Sequence, residues 1–109
     1  MKIDVLGTEY TIYERSDAED DALESCDGYC DKTTKTIVIT QKSKECNLGD
    51  FEVYRKKILR HEIIHAFLFE SGLHENWKHD DFGHDETMID WVAVQFPKMQ
   101  KCFEMAGCS

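Results

Sequence analysis

The chain has no apolar run approaching the length of a membrane span, and its first residues, Met1-Lys2-Ile3-Asp4-Val5, lack the charged-then-apolar pattern of a secretory signal. A cytoplasmic protein that does not enter membranes is therefore expected. Basic residues are also in short supply, 13 against 22 acidic ones, for a formal net charge of −9. Nucleic-acid phosphates and anionic membranes would be repelled over most of such a surface. Internal repeats, linkers and low-complexity segments are absent. The five cysteines (Cys26, Cys30, Cys46, Cys102, Cys108) are odd in number, which suits reduced thiols better than a disulfide framework. They offer no second pair at zinc-finger spacing, although Cys26, Cys30 and Cys46 could in principle hold a structural ion.

What is there fits one modest core. The 109 residues, 41% apolar and 32% charged, make a single domain over 1–109. "KIDVLGTEYTIY" alternates on both sides of Gly7, so Ile3 and Val5, then Tyr10 and Ile12, predict a hairpin turning near Gly7-Thr8. "SDAEDDALES" predicts a short helix capped by Ser16 or Asp17. "CDGYCDKTTKTIVIT" reads as turns at Asp27-Gly28 and around Lys32 to Thr34, followed by a β-branched strand from Thr36 to Thr40. Asp50 is placed to cap a helix from about Phe51 to Ser71 that stops at Gly72. The segment "LHENWKHDDFGHD" reads as a loop. A second apolar face begins near Glu86, is ended or kinked by Pro97, and is followed by a final short helix closed by Gly107.

The chemistry lies in "ILRHEIIHAFLFESG". His61 and His65 are four residues apart, about 40° apart around a helix and one turn above one another, so both imidazoles can reach one ion. Glu62 lies about 100° from His61, beside that ion. This is H-E-x-x-H, two zinc ligands and a general base. The spacing of Tyr54, Ile58, His61, His65 and Leu68 assigns the histidines to the helix's inward face. "DETMID" supplies Glu86 as a third ligand from another helix, with Asp90 one turn on to accept a hydrogen bond from a ligand histidine. His74, His79 and His84, in the loop, are the alternatives for the third position or for a donor to an anionic transition state.

His61-Glu62-x-x-His65 followed by Glu86-x-x-x-Asp90 resembles the gluzincin branch of the zincin metallopeptidases. "HEIIHAFLFESGL…DETMIDWVAVQFPKM" is similar to the minimal gluzincin-like proteins of bacteria and phages, and more distantly to peptidases of mobile elements that cleave repressors. The resemblance spans residues 36–97. It implies one Zn²⁺ per chain held by His61, His65 and Glu86, with Glu62 as general base and acid and Asp90 behind the ligands. It further implies hydrolysis of a peptide bond in an intracellular peptide or protein, and a minimal zincin-like α+β fold. That fold is a small three-stranded, mostly antiparallel sheet packed on the H-E-x-x-H helix and a second, glutamate-bearing helix. Thr36, Ile37, Val38, Ile39 and Thr40 occupy the place of the family's substrate-binding edge strand, which would grip an extended peptide through its backbone. The second helical domain and extra oxyanion donors of large gluzincins have no counterpart here. A zinc-stabilised binding or regulatory protein without catalysis is therefore the competing expectation, with a metal-free interaction module behind it.

Overall fold

The protein is seen in a computed structural model that describes residues 1–41, 48–76 and 86–109, with side chains at all of these except Glu75, Asn76, Glu86, Ile89 and Asp90. Its fold is α+β: β1 (Lys2–Val5), β2 (Thr8–Arg15), β3 (Gly28–Asp31), β4 (Thr36–Thr40), α1 (Phe51–Ser71) and α2 (Glu86–Met105). A 3₁₀ turn over Asp21–Glu24 precedes β3, and another over Leu73–Asn76 follows α1. No helix among the described residues is long and apolar enough to cross a membrane.

The sheet has four strands rather than three, in the order β1-β2-β4-β3, and it is mixed. β1 and β2 form the expected hairpin, turning through Leu6 (φ 51°) and Gly7 (φ 90°), both left-handed as a two-residue hairpin turn requires. β4 runs parallel to β2 and antiparallel to β3. The added strand is "GYCD", bounded by strand-poor Gly28 and Asp31, and it forms because its backbone pairs with Thr36–Ile39. The predicted cap at Ser16 or Asp17 also moves. Asp20 caps the 3₁₀ turn, its carboxylate accepting from the Ala22 N–H, while Ser16 and Glu19 form the turn before it.

α1 is as the sequence predicts. The Asp50 carboxylate accepts from the Val53 N–H at one end, and left-handed Gly72 (φ 80°) closes the other. α2 runs on through Pro97 to Met105 as one helix, so Pro97 does not end it and the separate final helix expected after it does not form. Pro97 lies on an exposed stretch, and the carbonyl it deprives of a donor belongs to exposed Ala93, within reach of water. Meanwhile Met99, Cys102 and Ala106 are buried and keep the later turns on the core. That core joins Ile3, Val5, Tyr10, Ile12, Ile37 and Ile39 of the sheet to Ile58, Leu59, Ile63, Ala66 and Phe67 of α1.

One polar cluster ties α1 to both hairpins. Glu70 accepts from the hydroxyls of Tyr10 (2.8 Å) and Thr8 (3.2 Å) and from the Lys35 ammonium (2.5 Å). Lys35, beside its carboxylate, and the two hydroxyls hold Glu70 below the usual carboxylate range, against the opposing effect of burial. Glu70→Gln should cost about 1–2 kcal/mol at pH 7, the low end for a charged hydrogen-bond network because Lys35 is partly solvated. A carboxylate whose pKa is depressed on folding stabilises above its ordinary value, here 4.5, and loses that contribution as pH falls through the folded value. Denaturant unfolding of wild type and variant should therefore differ at pH 7 and converge in more acidic buffer. A gap that is independent of pH would mean that the charge on Glu70 contributes nothing.

Candidate metal centre

Four-residue spacing on α1 brings the Nε2 atoms of His61 and His65 to 3.2 Å of one another. Two nitrogens bound to one tetrahedral zinc at its usual bond lengths stand about 3.3 Å apart, so this pair is already at ligand spacing. The carboxylate of Glu62 completes the group: one ligand atom from each of the three residues lies within 4.8 Å of the others. Among the described residues this is the one histidine, cysteine and acid group so arranged.

The burial of the three differs from expectation. Both imidazoles are exposed, whereas Glu62 is only 6% exposed. The core face of α1 is set by Ile58, Leu59, Glu62, Ile63, Ala66 and Phe67, and the histidines stand on its shoulder. Burial pushes the Glu62 carboxyl above its ordinary value, opposed by the nearby His61. Desolvation, then His61 and His74, pull His65 down, favouring the neutral imidazole that ligates metals.

The wall facing α1 is the start of β3. A Cβ on Gly28 would lie 2.8 Å from Ile58 Cγ2, 3.1 Å from the Val38 carbonyl oxygen and 3.3 Å from Glu62 Oε2. Glycine is thus what allows the strand to pass directly over the glutamate. A cleft of about 270 Å³ opens between Asp27-Gly28 and the α1 residues Tyr54, Lys57, Ile58, His61 and Glu62.

The expected edge strand, Thr36 to Thr40, is an interior one, because β2 and β3 occupy both of its edges. Among the described residues, the edge strand packed most closely on α1 is β3, and its outer edge is unpaired. The Thr40 N–H donates to the Asp27 carbonyl (2.9 Å) while the Thr11 N–H and Gln41 N–H bind β2 and β4 on the other side. Antiparallel alternation then turns Asp27, Tyr29 and Asp31 toward β4, and directs the backbone N–H and C=O of Gly28 and Cys30 to the open edge.

Glu86 is the first residue of α2, and Asp90 follows one turn on, but their side chains lie outside the described residues, as do His79 and His84 entirely. His74 is exposed and stands outside the three-residue group; its ring packs edge-on to Phe69 at 4.7 Å between centroids. Phe69 in turn stacks on His65 at 6.2 Å, a helical i,i+4 neighbour whose spacing is visible in the sequence. Of the cysteines proposed for a second ion, Cys46 lies outside the described residues, and Cys26 donates to the Ala22 carbonyl at 3.1 Å. Burial, with Glu62 and Asp31 adding, pushes the Cys30 thiol up to about 12, so it stays protonated.

Compared with known protein families, curated proteins and solved structures, the chain matches none.

Proposed function

We propose that the protein is a zinc-dependent hydrolase of peptide bonds, a minimal relative of the gluzincins. The observation that carries this reading is the Nε2 pair at 3.2 Å with a buried glutamate beside it. The donor set, two imidazoles and carboxylates, fits zinc. His61 and His65 would hold the ion with Glu86, and Asp90 would orient a ligand ring. Bound there, zinc would polarise the scissile carbonyl and lower the pKa of a water from about 16 toward 7. Glu62 would take the proton from the attacking water and return it to the departing amine, as its place beside the histidine pair allows. The free backbone groups of Gly28 and Cys30 would hold the peptide extended along β3, the role first assigned to Thr36–Thr40.

Elemental analysis after dialysis against a weak chelator tests the metal. Wild type should retain close to one zinc per chain, and His61→Ala and Glu86→Ala should each lose most of it. Equal zinc in wild type and Glu86→Ala would transfer the third position to His74, His79 or His84. No zinc in wild type, even after incubation with the ion, would end the hydrolase reading and leave a metal-free interaction module. Zinc without hydrolysis of any peptide would favour the zinc-stabilised regulatory protein.

A further inference from the structure

Beyond the reaction itself, and resting on the hydrolase reading, we infer that the cleft beside Glu62 receives the carboxyl terminus of a peptide, with Lys57 binding the terminal carboxylate and the Tyr54–Asp27 pair closing the cleft behind it.

The cleft has an end. Its two walls are α1 and the chain entering β3, and the Tyr54 hydroxyl donates across it to the Asp27 carboxylate. From His61 back to Tyr54 is seven residues of helix, about 10 Å. An extended peptide advances about 3.4 Å per residue, so two or three residues fill that length. The volume of about 270 Å³ accommodates a segment of the same order. A polypeptide continuing past the scissile bond in this direction meets the bridge between the walls, whereas a chain that ends there does not.

The charge in the cleft selects which end. Both arginines of α1 are committed elsewhere, Arg55 to Glu52 and Glu14 and Arg60 to the Cys108 carbonyl, and Lys56 does not line the cleft. Lys57 lines the cleft, is exposed, and has no ion pair among the described residues. Asp27 and Glu62 carry the opposing charges, but the Asp27 carboxylate is turned onto the Tyr54 hydroxyl and Glu62 is buried at the metal end of the cleft, leaving the Lys57 ammonium as the donor open to a ligand at the Asp27 end. A carboxylate is the group that three N–H donors on a compact cation bind best. With its terminus at the Asp27 end and its preceding residues along Gly28 and Cys30, the bound peptide would run antiparallel to β3. The activity is then the release of short fragments, two or three residues long, from carboxyl termini.

The test is a pair of peptides identical except for a free or amidated carboxyl terminus, with a third carrying six further residues. Wild type loaded with zinc should favour the free acid by about tenfold in kcat/KM over both others, the low end for a charge-assisted contact at an exposed lysine. Lys57→Ala should bring the acid down to the level of the amide, chiefly through KM. Tyr54→Phe, which removes the bridge and keeps the ring, should improve cleavage of the extended peptide. Equal cleavage of all three by wild type would overturn the inference while leaving the hydrolase reading intact, as would discrimination that survives Lys57→Ala. Should no peptide be hydrolysed, fluorescence anisotropy with the labelled acid and amide decides the point independently. Tighter binding of the acid that Lys57→Ala removes keeps the carboxylate subsite, and equal binding disposes of it.

Discussion

Replacing Glu62 by glutamine is expected to lower peptide hydrolysis by about 10²–10⁴-fold, the usual contribution of a positioned general base, while leaving zinc content unchanged. The amide keeps the size of the carboxylate and can still accept one hydrogen bond, but it cannot take a proton from water at neutral pH. Because Glu62 is buried beneath the start of β3, a charged group there is costly. Removing the charge should therefore leave stability equal to wild type or slightly above it. That combination separates a catalytic role from a structural one. Turnover numbers, thermal unfolding and metal analysis on the same preparations would check it, and full activity in Glu62→Gln would remove this residue from the mechanism.

Gly28→Ala is expected to damage both the fold and the site. The new methyl would sit 2.8 Å from Ile58 Cγ2 and 3.1 Å from the Val38 carbonyl oxygen. Neither neighbour yields easily: Ile58 is β-branched on a helix and confined to one side-chain rotamer, and the Val38 oxygen belongs to an interior strand. β3 must therefore move away from α1, at a cost of about 1–3 kcal/mol for overpacking. For a domain of this size that lowers the melting temperature by about 4–8 °C per kcal/mol. The third contact, 3.3 Å to Glu62 Oε2, adds a functional loss. The free edge and the base shift relative to one another, and a misplacement of about 1 Å can reduce rate about 10²-fold. Zinc content should not change, since His61 and His65 are both carried by α1 and keep their four-residue spacing when β3 moves. An alanine variant with wild-type melting temperature and turnover would show that the strand and helix are not in the contact described.

The parts of this protein legible in its sequence are those governed by neighbours within one or two helical turns. Asp50, Phe51–Ser71 and Gly72 were read correctly because a cap, a periodic apolar face and a left-handed glycine act on backbone groups three or four residues away. The 3.2 Å approach of His61 and His65 follows from the same local geometry. So does the β1–β2 hairpin, whose two strands are separated only by Leu6 and Gly7. The stacking of Phe69 on His65 follows from the same four-residue spacing.

Three other features depended on residues far apart in the chain. Glu62 rather than the histidines is buried, because the core face of α1 was fixed by the sheet it packs against and not by the helix's own pattern, whose apolar residues spread around much of the circumference. Pro97 did not end α2, since the turns beyond it gain the burial of Met99, Cys102 and Ala106. Most consequentially, "TIVIT" became an interior strand and "GYCD" the edge. A strand carries no local mark of which neighbours it will have. Its hydrogen bonds are made to backbone groups on another segment, here β2 on one side and β3 on the other, and only the assembled sheet decides which row of N–H and C=O groups is left open. The sequence by itself therefore determined the helix and the residues it offers to a metal. Tertiary structure decided which of them is buried and which edge and cleft adjoin it, because those depend on non-local pairing and packing that no short stretch encodes.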